Sequence, residues 1–418
     1  MRALVFGDPG GDTAALDARP AAPAADAPRL VRHLAVTPMS LRDVPEPTVR
    51  GPEWAVLRPR LTGICGSDVK QVLMDFEGPA DSPMTAFISF PQVLGHEVVA
   101  TVDAAGPDAG VSPGQRVVVN PWLSCAVRGL DPPCPACAAG DLSLCWRFHD
   151  GALAPGIHAG NSADAPGGFA ERMPAHRGML IPVPDDVPDE VAVLADPFSV
   201  ALHAVTRNPP PPDGRAVVYG MGALGTCAVA VLRALHPDVE IAAVARWPAQ
   251  RALASRLGAV AVDHEPALAV IEALAGWSGG ILRTPWEGLP TAWPGGVDVV
   301  YDTVGAPATL EVGLRVLRAR GTIVQLGLSS MDRCEWTPWY LKEARLIGSN
   351  AFGVEEVEGV RQHAMAHYLD LVRAGRVDLT GLLTHRFRLD DWRAAFTTLI
   401  DQGTTGAIKC AFDLRPEG

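Results

Sequence analysis

Hydrophobic and polar positions follow two different rhythms along this chain. In the first part, β-branched runs at Arg2–Phe6, Trp54–Arg60, Val98–Val102 and Arg116–Asn120 alternate or cluster around Gly/Pro turns such as 107–114. That pattern predicts short strands in an irregular β-barrel-like domain. From Ala216 onward, apolar runs alternate with helical periodicity. Ala216–Tyr219 leads into a glycine turn and an alanine-rich helix, followed by strands at Glu240–Ala245, Ala259–Val262, Gly296–Asp302 and Gly321–Gly327, with a further helix over Thr309–Arg318. Alternating βα units imply a parallel, doubly wound sheet, so the fold class is α/β with two domains. The Ala/Pro/Asp-rich stretch Asp12–Pro28 can bury little and reads as a surface loop, and Gly276–Pro294, with Trp277, Trp286 and Trp293, reads as a surface insertion.

Length agrees with this division, since 418 residues are enough for two domains. The formal net charge of −12 argues against a sequence-independent nucleic-acid binder, which needs a basic face for phosphates. No run of 18 apolar residues suggests a membrane span, and Met1–Gly10 lacks the apolar centre of a signal peptide, so a cytoplasmic location is expected. In a reducing compartment the eight cysteines, four of them between Cys125 and Cys145, suit metal ligation better than disulfides. Only three of the 35 basic residues are lysines: Lys70, Lys342 and Lys409.

Three motifs carry chemistry. Gly63-Ile64-Cys65-Gly66-Ser67-Asp68 and Gly95-His96-Glu97 each set a metal-binding side chain beside a glycine that lets the backbone bend closely round an ion. Cys65 and His96 supply two protein ligands of a catalytic zinc, and Asp68 and Glu97 are placed as the carboxylates that orient such ligands. Cys134-Pro-Ala-Cys137, followed by Cys145 and preceded by Cys125, has the spacing of a closed structural zinc site. Gly220-Met221-Gly222-Ala223-Leu224-Gly225, between a strand and a helix, is the dinucleotide fingerprint, with the phosphates expected at the helix N-terminus. The second strand ends at Ala245-Arg246 where an NAD enzyme carries an acid for the ribose 2′-hydroxyl. NADP is therefore favoured over NAD, with Arg246 or Arg251 binding the 2′-phosphate.

The Cys-Gly-Ser-Asp and Gly-His-Glu motifs resemble those of the medium-chain, zinc-dependent alcohol, polyol and threonine dehydrogenases, and the resemblance covers nearly the whole chain. It implies a GroES-like catalytic domain over 1–197 and 348–418, a structural-zinc lobe near 121–147, and a Rossmann domain over 198–347. Asp196, before Pro197, falls where the family places its third catalytic-zinc ligand, and Pro197 is expected to keep Asp196 at the edge of the following helix. His203 is expected to pack that helix rather than bind metal. In the structural lobe the family spacing puts Asp131 where a first cysteine is usual. Either Cys125 returns through a longer loop, or Asp131 replaces it, or three thiols remain; thiolate chemistry favours Cys125.

By the same resemblance Ser67 passes a proton, with Lys70 where a relay histidine is common; Lys70 either takes up the relay or binds substrate or cofactor ribose. Val304 and Leu326 flank the nicotinamide, and Lys409 reaches the cofactor pyrophosphate. Residues from Gln71 to Gln92, including Met74, Phe76, Met84, Phe87 and Phe90, border the substrate cleft or simply pack the domain. His363 and His367 are expected on an exposed helix face. The implied activity is hydride transfer between a nicotinamide and a small alcohol or carbonyl compound in a homodimer or homotetramer, with zinc as Lewis acid. Two rivals are a zinc-free alkene or quinone reductase of the same fold and a silent NADP-binding protein that keeps only the scaffold zinc.

Overall fold

The computed structural model describes residues 1–7, 29–73, 83–328 and 334–416. The expected Asp12–Pro28 loop, Met74, Phe76 and the Met84 side chain lie outside that description. The chain divides into two compact units. The first is Met1–Asp196 with Arg361–Arg373 and Thr380–Gly418, and the second is Pro197–Val360 with Ala374–Leu379.

The first unit is built on the strand Trp54–Gly63, which pairs antiparallel with Glu97–Ala105 on one side and Lys409–Asp413 on the other. Arg116–Val119, Leu180–Pro182, Met173–His176 and Leu383–Phe387 complete this seven-stranded sheet. One face buries Leu57, Val98, Val102, Val117 and Met173. The other core gathers Leu4, Phe6, Phe169, Trp392, Phe396 and Phe412 under the helix Trp392–Ile400. The amphipathic helix Arg29–Val36 and the strand Met39–Asp43, neither foreseen, close a small sheet against Arg2–Phe6.

In the second unit six parallel strands run in the spatial order Val260–Asp263, Glu240–Ala245, Arg215–Tyr219, Val297–Asp302, Leu317–Gln325, Arg345–Gly348. The order reverses at Arg215–Tyr219, the first strand, as in doubly wound nucleotide-binding sheets. Val217, Val244, Val300, Leu310 and Ile323 fill the space between sheet and helices. The expected insertion forms a two-stranded ribbon, Leu282–Arg283 with Thr291–Ala292, and leaves Trp286 fully exposed.

Two expectations near the C-terminal return are corrected. The chain re-enters the first unit at Arg361 rather than 348, because Arg345–Gly348 pairs as the sixth parallel strand. His363 closes the strand Val360–His363 and caps Met365 N–H, while His367, expected exposed, is buried on the helix Ala364–Arg373 beside Gln362.

Candidate metal centre and dinucleotide turn

The strand Trp54–Gly63 ends in register with Glu97 on one neighbour and Ala411 on the other. A Cβ on Gly63 would overlap the Glu97 carboxylate and press on the Lys409 stem, so glycine is required there. Cys65 caps the helix Gly66–Val72, and its N–H donates to Asp68 Oδ2 at 2.9 Å. Gly95 adopts φ 92°, where a side chain would strike Phe169 and Thr62, and it delivers His96 just before the strand Glu97–Ala105 begins.

The outcome is a cluster in which ligand atoms of Cys65, His96 and Glu97 all lie within 4.8 Å of one another. Asp68 Oδ1 stands 3.7 Å from His96 Nδ1, which is buried without a hydrogen-bond partner. Burial opposes charge on His96, yet Asp68, the Cys65 sulfur and Asp196 outweigh it and hold its pKa well above the usual imidazole range. A buried pocket that collects a thiol and three carboxylates around one imidazole fits a divalent cation. The expected third ligand, Asp196, is outside the close donor group and Glu97 is inside it. Asp196 is nonetheless 5% exposed with an unpartnered Oδ2. Burial pushes its carboxyl up to about 7, against the pull of His96. Nor does Asp196 sit in extended backbone before the helix. It lies in the first turn of Ala195–Arg207, where a following proline is tolerated because that turn needs no N–H donors.

Lys409, expected at a pyrophosphate, has its ammonium against the Glu97 carboxylate and donates to Ile64 O at 3.0 Å. Burial disfavours its charge, but Glu97, Cys65 and Asp196 keep its pKa above the lysine norm. The strand Lys409–Asp413 places it on the buried side of the sheet, which explains the engagement. Ser67 is exposed in the first turn of Gly66–Val72, and Lys70 is half-buried in its last turn.

One neighbour was missed. The His158 ring lies 4.7 Å from that of His96 and 5.7 Å, edge-on, from that of Trp122. Its Nδ1 is 2.7 Å from Ala159 O and its backbone N–H donates to Asn161 Oδ1. Burial, and then the nearness of His96, push its pKa down to about 3. A histidine between glycines in an irregular loop carries no periodic signal, so nothing in the sequence pointed to it.

In the lobe, the sulfurs of Cys125, Cys134, Cys137 and Cys145 form the second such group among the described residues. The Cys125 and Cys145 sulfurs are 3.7 Å apart, close to the edge of about 3.8 Å that tetrahedral zinc–sulfur bonds require. Each sulfur accepts a backbone N–H: from Cys134 to Cys125, Cys137 to Cys134, Cys125 to Cys137 and Arg147 to Cys145. A hydrogen bond from Cys137 brings Cys145 down to about 5 and pushes Cys137 up. The Cys125 sulfur thus belongs to this close group, and Asp131 is exposed.

In the second unit, Gly220 has φ 93° and Gly225 packs on the Gly220 carbonyl, leaving no room for a side chain at either. A Cβ at Gly222 would meet nothing within 4 Å, so the helix Ala223–Leu235 starts beside open space. Ala223 and Leu224 form its first turn. Val304 N–H and Gly305 N–H donate to the buried Asp302 Oδ1, and Leu326 N–H donates to Asp302 O, so one residue positions both peptides expected at the nicotinamide. The Arg246 guanidinium lies over the Trp247 ring at 4.7 Å, beside a strand end without a carboxylate.

Residues 51–185 match the model of the alcohol dehydrogenase GroES-like domain, and 223–366 that of the zinc-binding dehydrogenase family. The chain is 28% identical to (R,R)-butanediol dehydrogenase of Saccharomyces cerevisiae, over 86% of this chain and 91% of that one. It is also 28% identical to L-threonine 3-dehydrogenase of Mesorhizobium japonicum, over 91% and 97%. An NADP-bound zinc-binding dehydrogenase from Sinorhizobium meliloti superposes with a TM-score of 0.69 at 26% identity, covering 90% of this chain and 96% of that structure. With both metal clusters, the glycine turn and these matches together, the chain belongs to the medium-chain, zinc-dependent alcohol and polyol dehydrogenases.

Proposed function

We propose that this protein interconverts a secondary alcohol of a small polyol or amino alcohol and the corresponding ketone, with NADP preferred over NAD. As a family member it is a zinc-dependent nicotinamide oxidoreductase acting on a small alcohol or carbonyl compound. The observation that carries the reading is the donor group of half-buried Cys65 and buried His96 and Glu97, with Asp68 and Asp196 around it. When bound there, zinc supplies Lewis acidity at the substrate oxygen. Cys65, His96 and Glu97 would hold it, Asp68 orients Cys65 and His96, and Asp196 completes the negative surround. Ser67 and Lys70, on the exposed and half-buried faces of one short helix, are proposed to exchange the hydroxyl proton with solvent.

Gly220, Gly222, Ala223, Leu224 and Gly225 would receive the pyrophosphate, Arg246 the 2′-phosphate, and the Val304 and Leu326 peptides the nicotinamide. The polyol or amino-alcohol class is supported by relatives named for butanediol, L-galactonate and L-threonine. A cytoplasmic homodimer or homotetramer is part of the same reading. No helix among the described residues is long and apolar enough to cross a membrane.

Metal analysis with a cofactor and substrate screen tests it. Two zinc ions per chain and turnover of diols with NADP are expected. A single zinc with no alcohol turnover would instead favour one of the two rivals.

A further inference from the structure

We infer that His158 determines substrate specificity by accepting a hydrogen bond from a hydroxyl or ammonium group on the carbon next to the reacting carbinol. The inference rests on the dehydrogenase reading above. Nδ1 lies 2.7 Å from a carbonyl oxygen, which can only accept, so Nδ1 carries the proton and the neutral ring offers Nε2 as an acceptor. Nε2 has no hydrogen-bond partner among the described residues, and His158 is half-buried. The ring is held firmly. Its backbone bridges Trp122, its N–H donates to Asn161 at 3.0 Å, and Leu123 N–H donates to Ile157 O beside it. Further back, the fully buried Arg128 anchors the approach to this loop by donating to the carbonyls of Asp150, Leu153, Ala154 and Gly156.

The ring contact with His96 keeps this acceptor within about 9 Å of any ion that His96 ligates, given a metal–nitrogen bond of about 2 Å. That range includes the reach of a substrate with one oxygen at the ion and a donor on the adjacent carbon. Because Nε2 is an acceptor, the second group on the substrate must donate. A simple alcohol leaves the acceptor unpaired, which is how such a site rejects an analogue lacking the group.

The test compares butane-2,3-diol, 1-aminopropan-2-ol and butan-2-ol on the zinc-loaded protein with NADP. Wild type should favour the diol or the amino alcohol over butan-2-ol. In His158→Phe, which keeps a ring against His96 and Trp122, that preference in kcat/KM should fall roughly three- to tenfold, chiefly through KM. His158→Gln, which restores an acceptor, should recover part of it. Calorimetric binding of butane-2,3-diol to the zinc-loaded protein without nicotinamide should weaken in the Phe variant by a similar factor. Zinc content and circular dichroism verify the fold; if the Phe variant fails them, His158→Gln and His158→Asn decide.

An unchanged preference, or equal loss on all three alcohols, overturns the inference while the dehydrogenase reading stands. The same holds if wild type shows no preference for the second donor. If a protein carrying two zinc ions turns over no alcohol or ketone with either nicotinamide, the functional reading fails and the inference fails with it.

Discussion

Gly63 has no side chain, and the Glu97 carboxylate and Lys409 ammonium meet in the space this leaves. Gly63→Ala is expected to displace Glu97 and weaken metal binding at the first centre roughly 10- to 100-fold, leaving the four-cysteine lobe loaded. Zinc counted per chain after dialysis against graded chelator measures it. The sequence pointed to Cys65 and His96 as ligands and to Asp196 as the third, with Glu97 behind. Neighbours in a strand normally point to opposite faces, which favours that assignment. His96, however, precedes the strand, and the left-handed Gly95 turns it so that both it and Glu97 reach one point. No local pattern encodes that turn.

At the scale of elements, buried cations finish backbone that would otherwise lack partners. Lys342, the third lysine, donates to Leu314, Arg315 and Leu317 carbonyls at the end of the helix Pro307–Val316. Arg128 does the same for the loop leading to His158, and also donates to Leu123 O. Arg128→Met should cost about 3 kcal/mol or more, read from urea unfolding of the full chain, because several buried carbonyls lose their donors together.

On the helix Ala195–Arg207, His203 and Arg207 both hold the buried Glu355. Burial alone would raise its pKa, but His203 and Arg207 outweigh it and keep the carboxyl below its ordinary 4.5. A depressed carboxyl contributes stability above its unfolded pKa and loses it as pH falls through the lower folded one. Wild type should therefore lose stability below pH ~4 more steeply than Glu355→Gln, measured as thermal midpoint against pH. His203 had been expected to pack its helix; its partner Glu355, far along the chain, had no signal in the sequence.

At the scale of the whole chain, two compact units divide the labour, one carrying both clusters of candidate metal ligands and the other the glycine turn. Cofactor choice belongs to this scale, because it depends on which charge the second parallel strand presents at its end. Arg246→Asp should move the ratio of kcat/KM from NADP towards NAD by tenfold or more, since the acid would repel a 2′-phosphate and accept from a 2′-hydroxyl.

The rhythm of apolar residues was enough to predict both sheets, and local glycine, cysteine and histidine spacing was enough to predict a zinc- and nucleotide-dependent chemistry. Those signals are read over a few residues, where backbone geometry alone dictates what can follow. Only the tertiary structure brought Glu97 rather than Asp196 into the close donor group, returned Cys125 rather than Asp131 to the lobe, turned Lys409 inward and set His158 beside the metal's histidine. Each of these is decided by strand register or loop closure between distant segments, and one residue of slip would undo it without altering any local pattern.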